Sequence, residues 1–204
     1  MYRSLLLLLS SLFSIVQTST SQNKSTPIKV ALVQAELKWG DVDANLKDFE
    51  QRVEQCEDCD LIVFPELFTS GCEMKKKDPQ EKKKSKDKVS FSSGKDHLIL
   101  SWKNHRFSTF ICYDLRFPEW SKNKNDYETA IYIANWPESR HADWEQLLQQ
   151  RAKENKANVI AVNCAGKDPF GKTYRGGSCI INPSGEITIQ YSDYKEDIAF
   201  GFIP

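Results

Sequence analysis

Residues Ile28–Gln34 read IKVALVQ, apolar and mostly β-branched at consecutive positions rather than at alternate ones. A strand of that kind needs apolar neighbours on both faces, which restricts the chain to folds whose sheets are covered on each side. Thr129–Ala134 (TAIYIA) repeats the pattern, and residues 61–64 and 159–162 are shorter versions of it. Helical spacings lie between these runs. Val42, Leu46, Phe49, Val53 and Cys56 recur at intervals of four, three, four and three, which predicts a helix from about Asp43 with one inward stripe. Residues 141–156 predict a second helix, with Trp144, Leu147, Leu148 and Ala152 facing inward. Residues 98–102 and 106–111 read as neighbouring strands joined through Lys103-Asn104-His105. Residues 178–182 and 187–191 flank the turn signal Pro183-Ser184-Gly185 and read as a hairpin. The apolar run 198–203 supplies a last strand. Strands alternating with helices early and hairpins late imply an α/β sandwich.

The chain has 204 residues, enough for one ordinary domain, here placed at 28–204 after a linker at 22–27. Residues 1–21 have the build of a secretory signal: Arg3, an apolar run over 5–16 that is too short for a comfortable span, then small residues. A buried first helix or an interfacial anchor is the other reading of that run. Asn23-Lys24-Ser25 matches a glycosylation sequon just beyond it. The 28 basic and 28 acidic residues cancel overall, yet residues 75–88 alone hold eight lysines and three acids. That segment has no periodicity and reads as a solvated, disordered loop. The remainder is therefore acidic, which excludes a globally basic nucleic-acid binder; the lysine run is expected to retain RNA only non-specifically and at low salt.

Three features begin where a strand is expected to end, the place at which open α/β sheets present reactive groups. Glu66 follows a buried run in FPELF. Cys112 ends the strand in FICYDLRFPEW, followed by Asp114 and Arg116. Asn135-Trp136-Pro137 follows TAIYIA. A nucleophilic thiol needs a base and a donor-rich environment for the developing oxyanion, and Glu66 could be that base. Each residue also has a plainer reading: Cys112 as a small buried hydrophobe, Glu66 as a capping or salt-bridging acid, Trp136 as core. The histidines at 97, 105 and 141 lack metal-ligand spacing. Cys56-Glu57-Asp58-Cys59 closes an acidic helix end, where charge and dipole both raise a thiol pKa, unlike a redox pair at a helix N-terminus.

FPELFTSG, CYDLRFPEW, the stretch NDYETAIYIANWPESRHADWEQLLQQRAKENKANVIAVN and YRGGSCIINPSGEI together resemble the carbon–nitrogen hydrolase (nitrilase) superfamily, closest to its ω-amidase branch. The resemblance runs from Ile28 to about Ile198, outside the lysine-rich segment. It implies a four-layer α-β-β-α sandwich, commonly dimeric, with a Glu–Lys–Cys triad and no metal or organic cofactor. Carried over by position, Cys112 is the nucleophile and Glu66 the general base, with Tyr113, Arg116, Asn135 and Trp136 shaping the substrate pocket. Arg116 could equally pair with Asp114 or Glu119. The implied reaction converts an amide to a carboxylate and ammonia through a Cys thioester, on small α-keto acid amides such as 2-oxoglutaramate.

The sequence departs from the family between Gly71 and Gly94. The lysine-bearing Lys-x-His-Leu-Phe type motif is lacking there, as are some central strands and, later, a C-terminal arm. A lysine on a mobile loop forfeits preorganisation, a loss of ~3 to 4 kcal/mol in oxyanion stabilisation. The alternative is therefore a catalytically impaired relative, a binding module or truncated product. The leader and the six cysteines suit the secretory pathway or the extracellular space, with no stable span once the leader is cleaved. Free nucleophilic thiols suit the cytoplasmic alternative.

Overall fold

The computed structural model describes residues 26–71 and 96–204. The signal segment at 1–21, the sequon at Asn23, most of the linker and the lysine run at 75–88 lie outside the described residues.

β1 (Ile28–Gln34) is the middle strand of a three-stranded sheet. β2 (Leu61–Val63) lies parallel to it on one side, and β11 (Asp197–Ile203) lies antiparallel on the other. The second sheet has six strands. β3 (Ile99–Trp102), β4 (His105–Ile111), β5 (Thr129–Ala134), β6 (Asn158–Asn163), β9 (Cys179–Ile181) and β10 (Ile187–Gln190) stand in the spatial order β10-β9-β6-β5-β4-β3. β4, β5 and β6 run parallel, so their C-terminal ends meet at one rim.

Consecutive apolar residues in β1 serve two different layers. Val30 and Leu32 point to the core between the sheets, with Val63, Phe107, Ile131, Ile160 and Ile180. Ala31 and Val33 point the other way, onto Phe49 and Cys56 beneath helix α1 (Val42–Glu54). β5 does the same: Ile131 faces the inner core, while Ala130 and Tyr132 face helix α2 (His141–Asn155) through Trp144, Leu148 and Ala152. The order helix, sheet, sheet, helix is the four-layer sandwich expected from the sequence. The two-residue turn Lys103-Asn104, both with φ near +50 to +60°, joins β3 to β4.

Two sequence expectations need correction. The stripe of α1 does not all face inward: Val42, Leu46 and Val53 are exposed, and the inward line carries Asn45 with Phe49 and Cys56. Asn45 is tolerated there because its amide donates to Lys38 O and Thr69 O and accepts from Lys38 N–H, at 2.7, 2.9 and 2.9 Å. Residues 61–64, expected to be a buried strand, form instead a half-buried sheet edge. Beside that edge an apolar groove of about 520 Å³ runs between Leu61, Val63, Leu67, Leu100, Ile131 and Ile133. β7 (Ala165–Lys167) and β8 (Thr173–Arg175) form a small two-stranded sheet that the sequence reading lacks. The five described cysteines are all free.

Candidate active site

β4 ends at Ile111, and the chain turns at once into a short 3-10 helix, Cys112–Arg116. Cys112 makes that turn with φ +44°, a left-handed conformation that a non-glycine residue holds at a cost of about 1–2 kcal/mol. The surroundings enforce it. Asp114 Oδ2 accepts from the Ile111 N–H at 2.9 Å, and the buried Arg151 of α2 donates twice to the Leu115 carbonyl, at 3.1 and 2.9 Å. The turn lifts the sulfur out of the strand line to the rim where β5 and β6 also end.

Glu66 reaches the same rim from the other sheet, three residues beyond β2. Its Oε2 accepts from the Asn135 N–H at 2.9 Å, and the Asn135 side-chain amide donates to the Glu66 carbonyl at 2.9 Å. The Glu66 carboxylate acts on the Cys112 thiol at this rim. Burial first, then the charge and nearness of the Glu66 carboxylate, push the thiol up to about 12, while the Asn135 N–H and the charge of Arg140 pull the other way. At neutral pH the sulfur is therefore protonated. The charged groups with the largest effect on the thiol are Glu66 and Arg140. Cys164, buried just past β6, is also raised well above the usual thiol range, by burial and by Glu66.

Of the pocket residues expected from sequence, Asn135 is brought to Glu66 as described. Trp136 is buried, with its N–H donating to Asn163 Oδ1 at 2.7 Å and its indole N–H to the Arg140 carbonyl at 2.7 Å. Asn163 is fully buried and also donates to Trp136 O and Gly176 O. Arg116 pairs with neither Asp114 nor Glu119: it donates to Asp143 Oδ2 of α2 at 2.6 Å and stacks over Trp136 at 4.9 Å. Tyr113 is exposed, its ring edge-on to Phe117 at 5.4 Å. With Leu67 and Ile111, also exposed, these rings give the rim an apolar surface.

Sequence reasoning missed Arg140, Asp143 and Asn163. Arg140 sits among exposed polar residues with no pattern of its own, but its place four residues after Trp136, immediately before α2, was a usable signal. A hollow of about 760 Å³ between Asn104, Arg106, Glu128 and Lys156 lies at the opposite ends of β4, β5 and β6, so size does not mark the chemistry. Among the described residues no group of His, Cys, Asp and Glu could hold a metal ion.

The arrangement pairs a thiol with a carboxylate base at the ends of buried strands, a set of parts suited to acyl transfer. Residues 29–91 and 76–204 match the carbon-nitrogen hydrolase family model. The chain is 33% identical over 213 residues to the omega-amidase YafV of Escherichia coli K12, covering 78% of this chain and 83% of that protein. It is 38% identical over 98 residues to the 2-oxoglutaramate amidase of Bacillus subtilis, covering 47% of this chain and 38% of that one. Its fold matches XC1258 from Xanthomonas campestris, a CN-hydrolase superfamily protein, with a TM-score of 0.77 at 24% identity over 88% of this chain and 91% of that one.

Proposed function

The chain belongs to the carbon–nitrogen hydrolase family, and on that footing we propose that it is a cysteine-dependent amidase of the ω-amidase type, acting on small α-keto acid amides such as 2-oxoglutaramate. The observation that carries this reading is the Cys112 thiol under the influence of the Glu66 carboxylate, which Asn135 holds at the same rim. The substrate class is supported by the names of the relatives.

In this reading Glu66 accepts the thiol proton as the sulfur attacks the amide carbon, and the carbonyl electron pair moves onto oxygen. The Tyr113 backbone N–H donates to that oxyanion. Collapse of the tetrahedral intermediate breaks the C–N bond, and Glu66 returns the proton so that ammonia leaves. Water, deprotonated by Glu66, then attacks the thioester, releasing the carboxylate and restoring the thiol. Asn135 keeps Glu66 aimed through both half-reactions. Ammonia release from 2-oxoglutaramate by the wild type and by Cys112→Ala tests the reading, and equal silence from two folded proteins removes it.

A second reading, the same fold without turnover, is favoured by one observation: the sequence between Gly71 and Gly94 lacks the Lys-x-His-Leu-Phe type motif. The same assay separates the two. On the leader at 1–21 the chain enters the secretory pathway; N-terminal sequencing that begins at Met1 overturns this. The exposed Val42, Leu46 and Val53 of α1 support pairing of two chains, which sedimentation checks.

A further inference from the structure

Two arginines lie over the Trp136 ring, and their charges are differently placed. Arg116 is matched by Asp143 at 2.6 Å. Arg140 lies 5.4 Å from the ring centroid, is exposed, and pairs with no carboxylate among the described residues. Nearby acids are engaged elsewhere: Glu138 accepts from the Tyr194 hydroxyl, and Asp143 holds Arg116. The Arg140 backbone is fixed at both ends, its N–H donating to Pro137 O at 3.0 Å and its carbonyl accepting from the Trp136 indole at 2.7 Å. Its charge reaches Cys112 without a hydrogen bond to it. The site thus holds a positioned, unmatched guanidinium within electrostatic range of the nucleophile but apart from it.

An α-keto acid amide carries its carboxylate at the end remote from the amide carbon. A planar guanidinium presents paired donors that fit a carboxylate, and one without an internal partner loses nothing by accepting it. We infer that Arg140 is the specificity residue of this site, its guanidinium receiving the far carboxylate of the substrate while Cys112 takes the amide carbon. Arg116, expected in that role from sequence, is held by Asp143 and supports Trp136 instead. The inference rests on the amidase reading and narrows it to amides bearing a remote anionic group.

The test follows ammonia release from 2-oxoglutaramate and from butanamide, an uncharged amide, in the wild type, Arg140→Gln and Arg140→Lys. Arg140→Gln is expected to raise KM for 2-oxoglutaramate about tenfold or more, with partial recovery in Arg140→Lys, and to leave KM for butanamide unchanged. Equal change for both amides, or change for neither, overturns the assignment. A wild type silent on both amides removes the amidase reading alone. The affinity of Cys112→Ala for 2-oxoglutarate, measured by calorimetry, then decides: a loss of about tenfold on adding Arg140→Gln supports the carboxylate contact, and unchanged affinity or no binding overturns it.

Discussion

Glu66 and Asn135 hold one another twice, backbone N–H to carboxylate and side-chain amide to backbone carbonyl, both at 2.9 Å, across the gap between the two sheets. Removing the side-chain half in Asn135→Ala leaves the carboxylate its backbone donor but frees the main chain beneath it. The expected stability cost is about 1 kcal/mol, with kcat falling about tenfold because a misaimed base transfers protons poorly. A kcat drop no greater than the unfolded fraction explains, read beside a denaturation curve, counts against a positioning role.

Cys112 should alkylate slowly at neutral pH, and its reactivity should climb through the alkaline range toward about 12. Glu66→Gln removes the charge that raises the thiol, so the iodoacetamide rate profile should move to lower pH while ammonia release falls by about 100-fold or more. An unmoved profile breaks the pairing.

Alkali should destabilise the fold through its thiols. Cys179 is pushed from the usual 9.0 up to about 12 and Cys164 rises well above 9.0, both by burial first. With folded values above unfolded ones, the native state keeps protons that the unfolded chain releases. Their stabilisation is complete below the unfolded value and is lost as pH rises from there toward the folded one, by about 1.4 kcal/mol per pH unit for each thiol. Tm measured between about pH 8 and about pH 11 should fall, and less steeply in Cys179→Ala.

Asn163→Ala should be among the costly single substitutions. It deletes a fully buried side chain that bridges Trp136 N–H, Trp136 O and Gly176 O. The expected loss is about 2–3 kcal/mol, visible as a lower denaturant midpoint at unchanged slope.

β3 presents Leu100 and Trp102 to solvent, next to the exposed Leu98, on a sheet edge unpaired among the described residues, the geometry that invites strand-to-strand association. Trp102→Lys should lower light scattering at high protein concentration without lowering Tm. Scattering that persists unchanged places the sticky surface elsewhere.

The strands were legible because their runs of consecutive apolar residues have one physical meaning, burial on both faces, and Val30 to Val33 divide between two cores as that meaning requires. β7 and β8 were not: AGK and TYR carry no such pattern and owe their pairing to each other. The α1 stripe misled because a satisfied asparagine can occupy an inward position while leucine and valine remain outside. Cys112, Glu66 and Asn135 were legible as strand-end residues. Their linkage was not, nor was the pairing of Arg116 with Asp143, since both depend on how separate elements pack. Arg140 was legible at most by its place four residues after Trp136, because an exposed arginine acquires meaning only when its neighbours' charges are accounted for.

β2 is three residues long and, among the described residues, bonded on one side only, so by itself it would fray and reclose quickly, with early amide exchange at Leu61 to Val63. Asn135 follows β5, which is flanked by strands on both sides in the middle of the six-stranded sheet. Glu66 therefore borrows its steadiness from the opposite sheet, and the breathing of the edge that carries it is damped where Asn135 grips it.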